Sequence, residues 1–233
     1  MKRYKLWLAG LIFLGSCTNA QTKINQNQFA VLPAVKKNEK VATFAGGCFW
    51  AIAEGMSELK GVNHVIAGYA GGTVKNPTYE DVCSDNTGHA ESVEVYYDPK
   101  VISYGQLAEA FFYAHDPTTL NRQGPDEGRN YRSVAFYRNP DEKQILNQVI
   151  AKVNASHHYV DHIVTQVVPF RVIYPAEVYH QNYYKLNPDN GYIQSVSMPK
   201  VLKLRKNMSA LIKPEFKNRM LQNKGTVHLS TYS

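Results

Sequence analysis

Apolar and polar positions alternate with a period of two in residues 41–45 and, strictly, in residues 89–97. In the second run Val93, Val95 and Tyr97 share one face and Ser92, Glu94 and Tyr96 the other. Such alternation is that of a strand, whose successive side chains point to opposite faces. The period lengthens to that of a helix in residues 48–59, with Phe49, Ile52, Ala53, Met56 and Leu59 on one side. A second helix turns Leu107, Ala110, Phe111 and Ala114 inward and opens with a capping box of Ser103 and Gln106. A third begins at Asn139-Pro140, with Glu142 in capping position and Ile145, Leu146, Val149, Ile150 and Val153 as its stripe. Further strands are expected in residues 62–69, 132–137 and 163–168, and a short helix in residues 176–186. Loops rich in Gly, Pro and Asn separate these elements, the first running from residue 70 to 88. The β-α-β and β-α-β order, with antiparallel character, predicts an α+β two-layer sandwich with a ferredoxin-like core, additional helices and long loops.

The first residues follow other rules. Lys2, Arg3 and Lys5 precede an apolar stretch, residues 6–14, too short to span a bilayer. It ends at Leu14-Gly15-Ser16-Cys17, which resembles the lipobox of bacterial lipoproteins. That resemblance implies a signal peptide in residues 1–16, lipidation of Cys17 and attachment to the bacterial cell envelope; a plain secreted or periplasmic protein is the alternative. Residues 17–38, rich in Gln, Asn and Lys, read as a flexible tether. Residues 39–206 form one domain, and residues 207–233 a tail to which the sequence assigns no role.

Composition narrows the classes. A chain of 233 residues with 44% hydrophobic content suffices for one sizeable core. The net charge of +7 is dispersed. Its one modest cluster, Lys200, Lys203, Arg205 and Lys206, reads as a solvated helix end rather than a nucleic-acid surface. Three cysteines do not make a disulfide framework. His157, His158 and His162 cluster without the cysteine or carboxylate that would complete a metal site, so no metal is expected.

The candidate chemistry starts at Gly46-Gly47-Cys48-Phe49-Trp50, where a strand gives way to a helix. At a helix N-terminus the unpaired N–H groups and the macrodipole favour a thiolate. A small buried hydrophobe is the competing reading of Cys48. Strand parity places Glu91 on the face of Val93, Val95 and Tyr97, where a desolvated carboxyl would hold its proton. If pairing begins later, Glu91 faces water, and the pattern does not decide. Tyr79 in the first long loop and Tyr131 at the start of a later strand add phenols to a thiol and a carboxyl. That set suits protonation of an oxygen while sulfur attacks. His115-Asp116 would instead supply the base of a cysteine hydrolase if Cys48 met that histidine, although the two more readily cap the second helix.

Gly46-Gly47-Cys48-Phe49-Trp50 resembles the signature of the A-type peptide methionine sulfoxide reductases. Gly68-Tyr69-Ala70-Gly71-Gly72, Asn76-Pro77-Thr78-Tyr79 and Thr87-Gly88-His89-Ala90-Glu91 follow in that family's order. So do Asn121-Arg122-Gln123-Gly124-Pro125-Asp126, Tyr131-Arg132-Ser133, Tyr174-Pro175-Ala176-Glu177 and His180-Gln181-Asn182-Tyr183-Tyr184. The resemblance implies Cys48 as nucleophile, Glu91 as acid, and Tyr79 and Tyr131 as hydrogen-bond donors to the sulfoxide oxygen. It implies Phe49 and Trp50 as the pocket for the S-methyl group, and Asp126 at the pocket's edge. The implied reaction is reduction of the S epimer of methionine sulfoxide, free or in proteins, by way of a cysteine sulfenic acid. No metal or organic cofactor is implied; the partner is an external thiol reductant such as a thioredoxin-like protein, and a monomer is expected.

The chain departs from the family where recycling cysteines are common. Residues 187–195 carry Ile193 in a place where a cysteine is frequent, and no cysteine follows Cys83. A one-cysteine enzyme is the reading, with Cys83 as resolver the lesser alternative. Asp85 replaces a frequent glycine and is expected to alter only its loop. A non-catalytic, lipid-anchored binding module is the alternative function.

Overall fold

The computed structural model describes residues 28–217; residues 1–27, with Cys17 and the signal segment, and the end of the tail lie outside them. In chain order the elements are β1 (Lys40–Gly46), α1 (Phe49–Ser57), β2 (Val62–Ala70), α2 (Tyr79–Cys83), β3 (Ala90–Tyr97) and α3 (Tyr104–Ala114). A small hairpin, β4 (Arg122–Gln123) and β5 (Asp126–Glu127), leads to β6 (Ser133–Tyr137) and α4 (Pro140–Ala155). Then come β7 (Gln166–Pro169), β8 (Ile173–Pro175), α5 (Tyr183–Leu186), α6 (Met198–Asn207) and α7 (Pro214–Lys217).

Six strands form one sheet in the order β7-β6-β1-β3-β2-β8. Its pairs are antiparallel except β6 with β7. Ala42 and Phe44 of β1 and Val93, Val95 and Tyr97 of β3 face the main core, where they meet Ile52 and Met56 of α1 and Leu107 and Phe111 of α3. Phe44 stacks on Phe111 with ring centroids 4.8 Å apart. The opposite parity, Ala45, Ala90 and Val134 with Ile173, builds a smaller core under Leu32, Val168 and Phe170. Glu94 on that side is paired with Arg138 at 3.1 Å, whose guanidinium also caps the Phe170 ring.

The capping reasoning for the long helices holds: Ser103 and Gln106 form a reciprocal box on α3, and Asn139 accepts from the Glu142 N–H on α4. Three features differ from the sequence reading. Residues 28–30 are packed rather than tethering: Phe29 bridges to Glu177 and the Ala30 N–H donates to the Ala176 carbonyl at 2.9 Å. The expected helix in residues 176–186 is instead a 3-10 turn, Val178–His180, followed by the single turn of α5, because Asn182 takes a left-handed conformation (φ +57°) between them. The basic cluster is not a solvated helix end. Arg205 of α6 is 4% exposed and holds Glu58 with two hydrogen bonds of 2.6 Å, while Lys203 donates to the His115 carbonyl at 2.6 Å. Residues Met208 and Ile212 continue the core past α6, with Ile212 bridged to Leu59.

Candidate active site

Strand β1 feeds α1 through a turn that admits no side chain. Gly47 has φ +82°, and a Cβ there would stand 2.5 Å from the Gln123 side chain. Cys48 follows as the N-cap of α1 and is 6% exposed. The next N–H, that of Phe49, is one of the donors a helix start leaves unpaired. It donates to Glu91 Oε2 at 3.0 Å. Register pairs Glu91 with Tyr69 on the neighbouring strand and turns its side chain toward α1. The open question of its face is thereby answered: Glu91 is 2% exposed and points inward. Burial pushes its carboxyl up to about 8 against the pull of the Phe49 N–H; Asp126 adds to the rise and Lys200 opposes it.

Cys48, Phe49, Trp50, Tyr79, Glu91, Asp126 and Tyr131 all line one cavity of about 270 Å³, joined there by Asn190 and Tyr192. Burial, and then the charge of Glu91, push the Cys48 thiol up, against the Trp50 N–H and the Tyr192 hydroxyl. The expectation of a resting thiolate is therefore corrected. Burial outweighs the helix N-terminus, and the site holds a neutral thiol beside a carboxyl that is protonated below about 8. The phenols of Tyr79 and Tyr131 are likewise pushed up, first by burial and then by Glu91, so both keep their protons as donors.

A further ring of contacts fixes these groups. Glu177 accepts from the Tyr69 hydroxyl at 2.8 Å and from the Tyr79 N–H at 2.9 Å, tying α2 to the sheet. The Trp50 indole N–H donates to His180 Nδ1 at 3.1 Å, and the indole stacks on Tyr183 with centroids 3.9 Å apart. That bond leaves the His180 proton on Nε2 and the ring neutral, its pKa held down to about 4 by burial. The Tyr192 hydroxyl donates to Asp126 Oδ2 at 2.5 Å.

The family model described as peptide methionine sulfoxide reductase matches residues 40–212. The chain belongs to that family. A peptide methionine sulfoxide reductase MsrA of Polynucleobacter asymbioticus is 46% identical over 75% of this chain and 92% of its own length. The reductase named MsrA of Pasteurella multocida is 46% identical over 70% and 93%. Among solved structures, Mxr1 from Saccharomyces cerevisiae in reduced form superposes with a TM-score of 0.63 at 32% identity, over 67% of this chain and 91% of that one. Methionine sulfoxide reductase A of Corynebacterium diphtheriae gives 0.61 at 32%, over 71% and 84%.

As a reductase of this family the chain is an oxidoreductase, and residues given no role from its sequence gain one. Glu177 and His180 lie in quoted motifs, but only the folded contacts reveal that they hold Tyr79 and Trp50. Tyr192 sits in the stretch where recycling cysteines are common in the family; the aromatic after Gly191 is its only signal in the sequence. Cys83 is exposed, one turn after Tyr79 on α2, with its sulfur hydrogen-bonded to the Tyr79 hydroxyl, and it does not line the cavity. His115 is no partner of Cys48. It is fully buried, contacts the Phe111 carbonyl at 2.8 Å and Ser133 Oγ at 2.7 Å, and is held neutral, with its pKa pushed down to about 3 by burial. It therefore caps α3 as a neutral ring. His158 packs edge-on against Tyr113 and Tyr159.

Proposed function

We propose that this cavity reduces the S epimer of methionine sulfoxide, free or in proteins, with Cys48 as nucleophile and Glu91 as general acid. One observation carries the assignment: a buried carboxyl, hydrogen-bonded to a backbone N–H and to no cation, shares a cavity with a cysteine thiol and two phenols. The S-methyl group rests against Phe49 and Trp50, and the sulfoxide oxygen accepts from Tyr79 and Tyr131. Asp126, held by Tyr192, orients the substrate at the edge. Glu91 gives its proton to the oxygen as Cys48 Sγ attacks the sulfur centre, and the proton of the thiol returns to Glu91. The attack joins Cys48 Sγ to the substrate sulfur; the protonated oxygen then passes to Sγ, so the substrate's S–O bond and the transient S–S bond break as the Cys48 S–O bond forms. Substrate sulfur gains two electrons and Cys48 loses two, leaving methionine and a sulfenic acid. Two equivalents of an external thiol then give Cys48 thiol, a disulfide and water.

The lack of any cysteine after Cys83, and the place of Cys83 outside the cavity, support direct recycling by such a thiol, for which a thioredoxin-like protein is the natural class. The four central strands, β6-β1-β3-β2 with α1 and α3 on one face, support the ferredoxin-like description of the core. The signal-like start and Cys17 support an enzyme anchored by lipid in a bacterial envelope. Globomycin, which blocks lipoprotein signal cleavage, is expected to leave a longer precursor; an unchanged, soluble product contradicts the anchor.

The activity is tested by giving the full chain each epimer of a blocked methionine sulfoxide with dithiothreitol. Consumption of the S epimer alone is expected. Consumption of neither by folded protein sinks the assignment and leaves a binding module.

A further inference from the structure

On the far side of β3's first residues from Cys48, the Arg132 guanidinium stands between two cavities of about 580 and 340 Å³ that share Gly71, Gly72, Thr73, Arg132 and Gln166. Arg129 lines the first and Arg171 the second, and no aspartate or glutamate lines either. Arg132 is half-buried and donates only to neutral acceptors: the Arg129 carbonyl at 2.8 Å, the Gly88 carbonyl at 2.9 Å and Gln166 Oε1 at 3.4 Å. Among the described residues none of the three arginines forms an ion pair. The nearby carboxylate of Asp85 accepts from the Arg129 backbone N–H at 3.3 Å. The floor is bare by necessity. A Cβ on Gly71 (φ +85°) would lie 3.0 Å from Arg132 Nη2, and one on Gly72 would lie 2.4 Å from the His89 N.

A cleft lined by charge of one sign, with low-dielectric walls, concentrates the opposite charge. A guanidinium fork matches the two oxygens of a carboxylate. The cleft is also at a defined distance from the chemistry. Glu91 lies three residues beyond Gly88, whose carbonyl accepts from Arg132 just before β3 begins at Ala90. At about 3.3 Å per extended residue that separation is at most roughly 10 Å, within the span of two or three residues of an extended peptide.

We propose that this cleft receives the carboxylate of an aspartate or glutamate two or three positions from the methionine sulfoxide in a polypeptide substrate. The proposal rests on the reductase reading and adds a preference for acidic surroundings of the oxidised methionine. A peptide threaded from the Cys48 cavity past Tyr131 passes the arginines, whereas a blocked single amino acid ends before them.

The test uses the full chain with dithiothreitol, an uncharged reductant, and blocked peptides carrying Asp, Asn or Lys at the second or third position on either side of methionine sulfoxide. For one of these positions kcat/KM is expected to be about 1.5-fold to fivefold higher with Asp than with Asn, the range of exposed charge pairs. The advantage should shrink as salt rises. In the double variant R129A/R171A the Asp advantage disappears while turnover of blocked methionine sulfoxide stays. Equal kcat/KM for Asp and Asn peptides in the unaltered protein overturns the proposal, as does an advantage that survives R129A/R171A. A final arm replaces dithiothreitol by a thiol bearing carboxylates, with the Asn peptide as substrate. If R129A/R171A slows this arm alone, the cleft serves the reductant and the substrate assignment is overturned. No turnover of blocked methionine sulfoxide by the unaltered protein would remove the reductase reading itself, a result distinct from lost discrimination.

Discussion

Two glutamates of this fold are buried to nearly the same degree and do opposite work. Glu58, fully buried at the end of α1, is gripped by Arg205 through two hydrogen bonds of 2.6 Å, and the pair clamps α6 onto the core. Glu91, 2% exposed at the other end of α1, has among the described residues only a backbone N–H as hydrogen-bond partner and is held up to about 8. Burial by itself thus does not make an acid catalyst. What separates the two is the partner: a guanidinium holds Glu58 in place, whereas Glu91 has no hydrogen-bonded cation and burial keeps its proton on.

Substitutions can break this contrast, and the largest effect lies at the sulfur itself. Cys48→Ser is expected to abolish methionine formation, read in single turnover, with the fold intact. Glu91→Gln comes next, with a fall in turnover of about 10²–10⁴, the usual contribution of a positioned acid. Its stability should move the other way. The folded protein holds a proton on Glu91 that the unfolded chain has released, so this group's contribution is present below about 4.5 and lost as pH rises to about 8. Glu91→Gln removes that loss, and its Tm at pH 8 is expected to equal or exceed that of the unaltered protein. Glu58→Gln should invert the pattern. It leaves Arg205 buried without its counter-charge, at a cost of about 3–5 kcal/mol in denaturant unfolding, while folded molecules keep their turnover number. The smallest effect belongs to Cys83→Ser. A hydroxyl can replace the thiol beside Tyr79, and dithiothreitol-driven activity is expected to stay within about twofold, because this exposed site lies outside the reacting cavity. An inactive Cys83→Ser enzyme would return Cys83 to the role of resolver.

Much of this contrast was legible in the chain. Strand parity offered Glu91 to the apolar face without deciding it, the paired glycines put Cys48 at a helix start, and the caps of α3 and α4 sit on the residues that announced them. The misses have physical causes. The α2 turn hides in a loop rich in Gly, Pro and Asn, and only its Thr78–Asp81 capping box marked it. Residues 193–197 adopt a π turn that has no short-range sequence pattern, and it is this turn that carries Tyr192 to Asp126. The basic run of α6 looks solvated because composition cannot reveal that Glu58, 147 residues earlier, waits for Arg205. The charge state of Cys48 was misread for a related reason: the helix N-terminus is a local signal, while the burial that overrides it is assembled from distant segments.

The most direct test of the account is the pH dependence of kcat/KM on blocked methionine sulfoxide, from pH 6 to 10, for the unaltered protein, Glu91→Gln and Lys203→Met. Lys203 is the useful control, since burial brings its ammonium down to about 8 as well, yet it lies outside the cavity. The unaltered protein and Lys203→Met should lose activity as pH rises through about 8, where Glu91 gives up its proton, while Glu91→Gln should be slow and flat across the range. An alkaline fall that persists in Glu91→Gln, or that vanishes in Lys203→Met, would contradict the assignment of Glu91 as the acid.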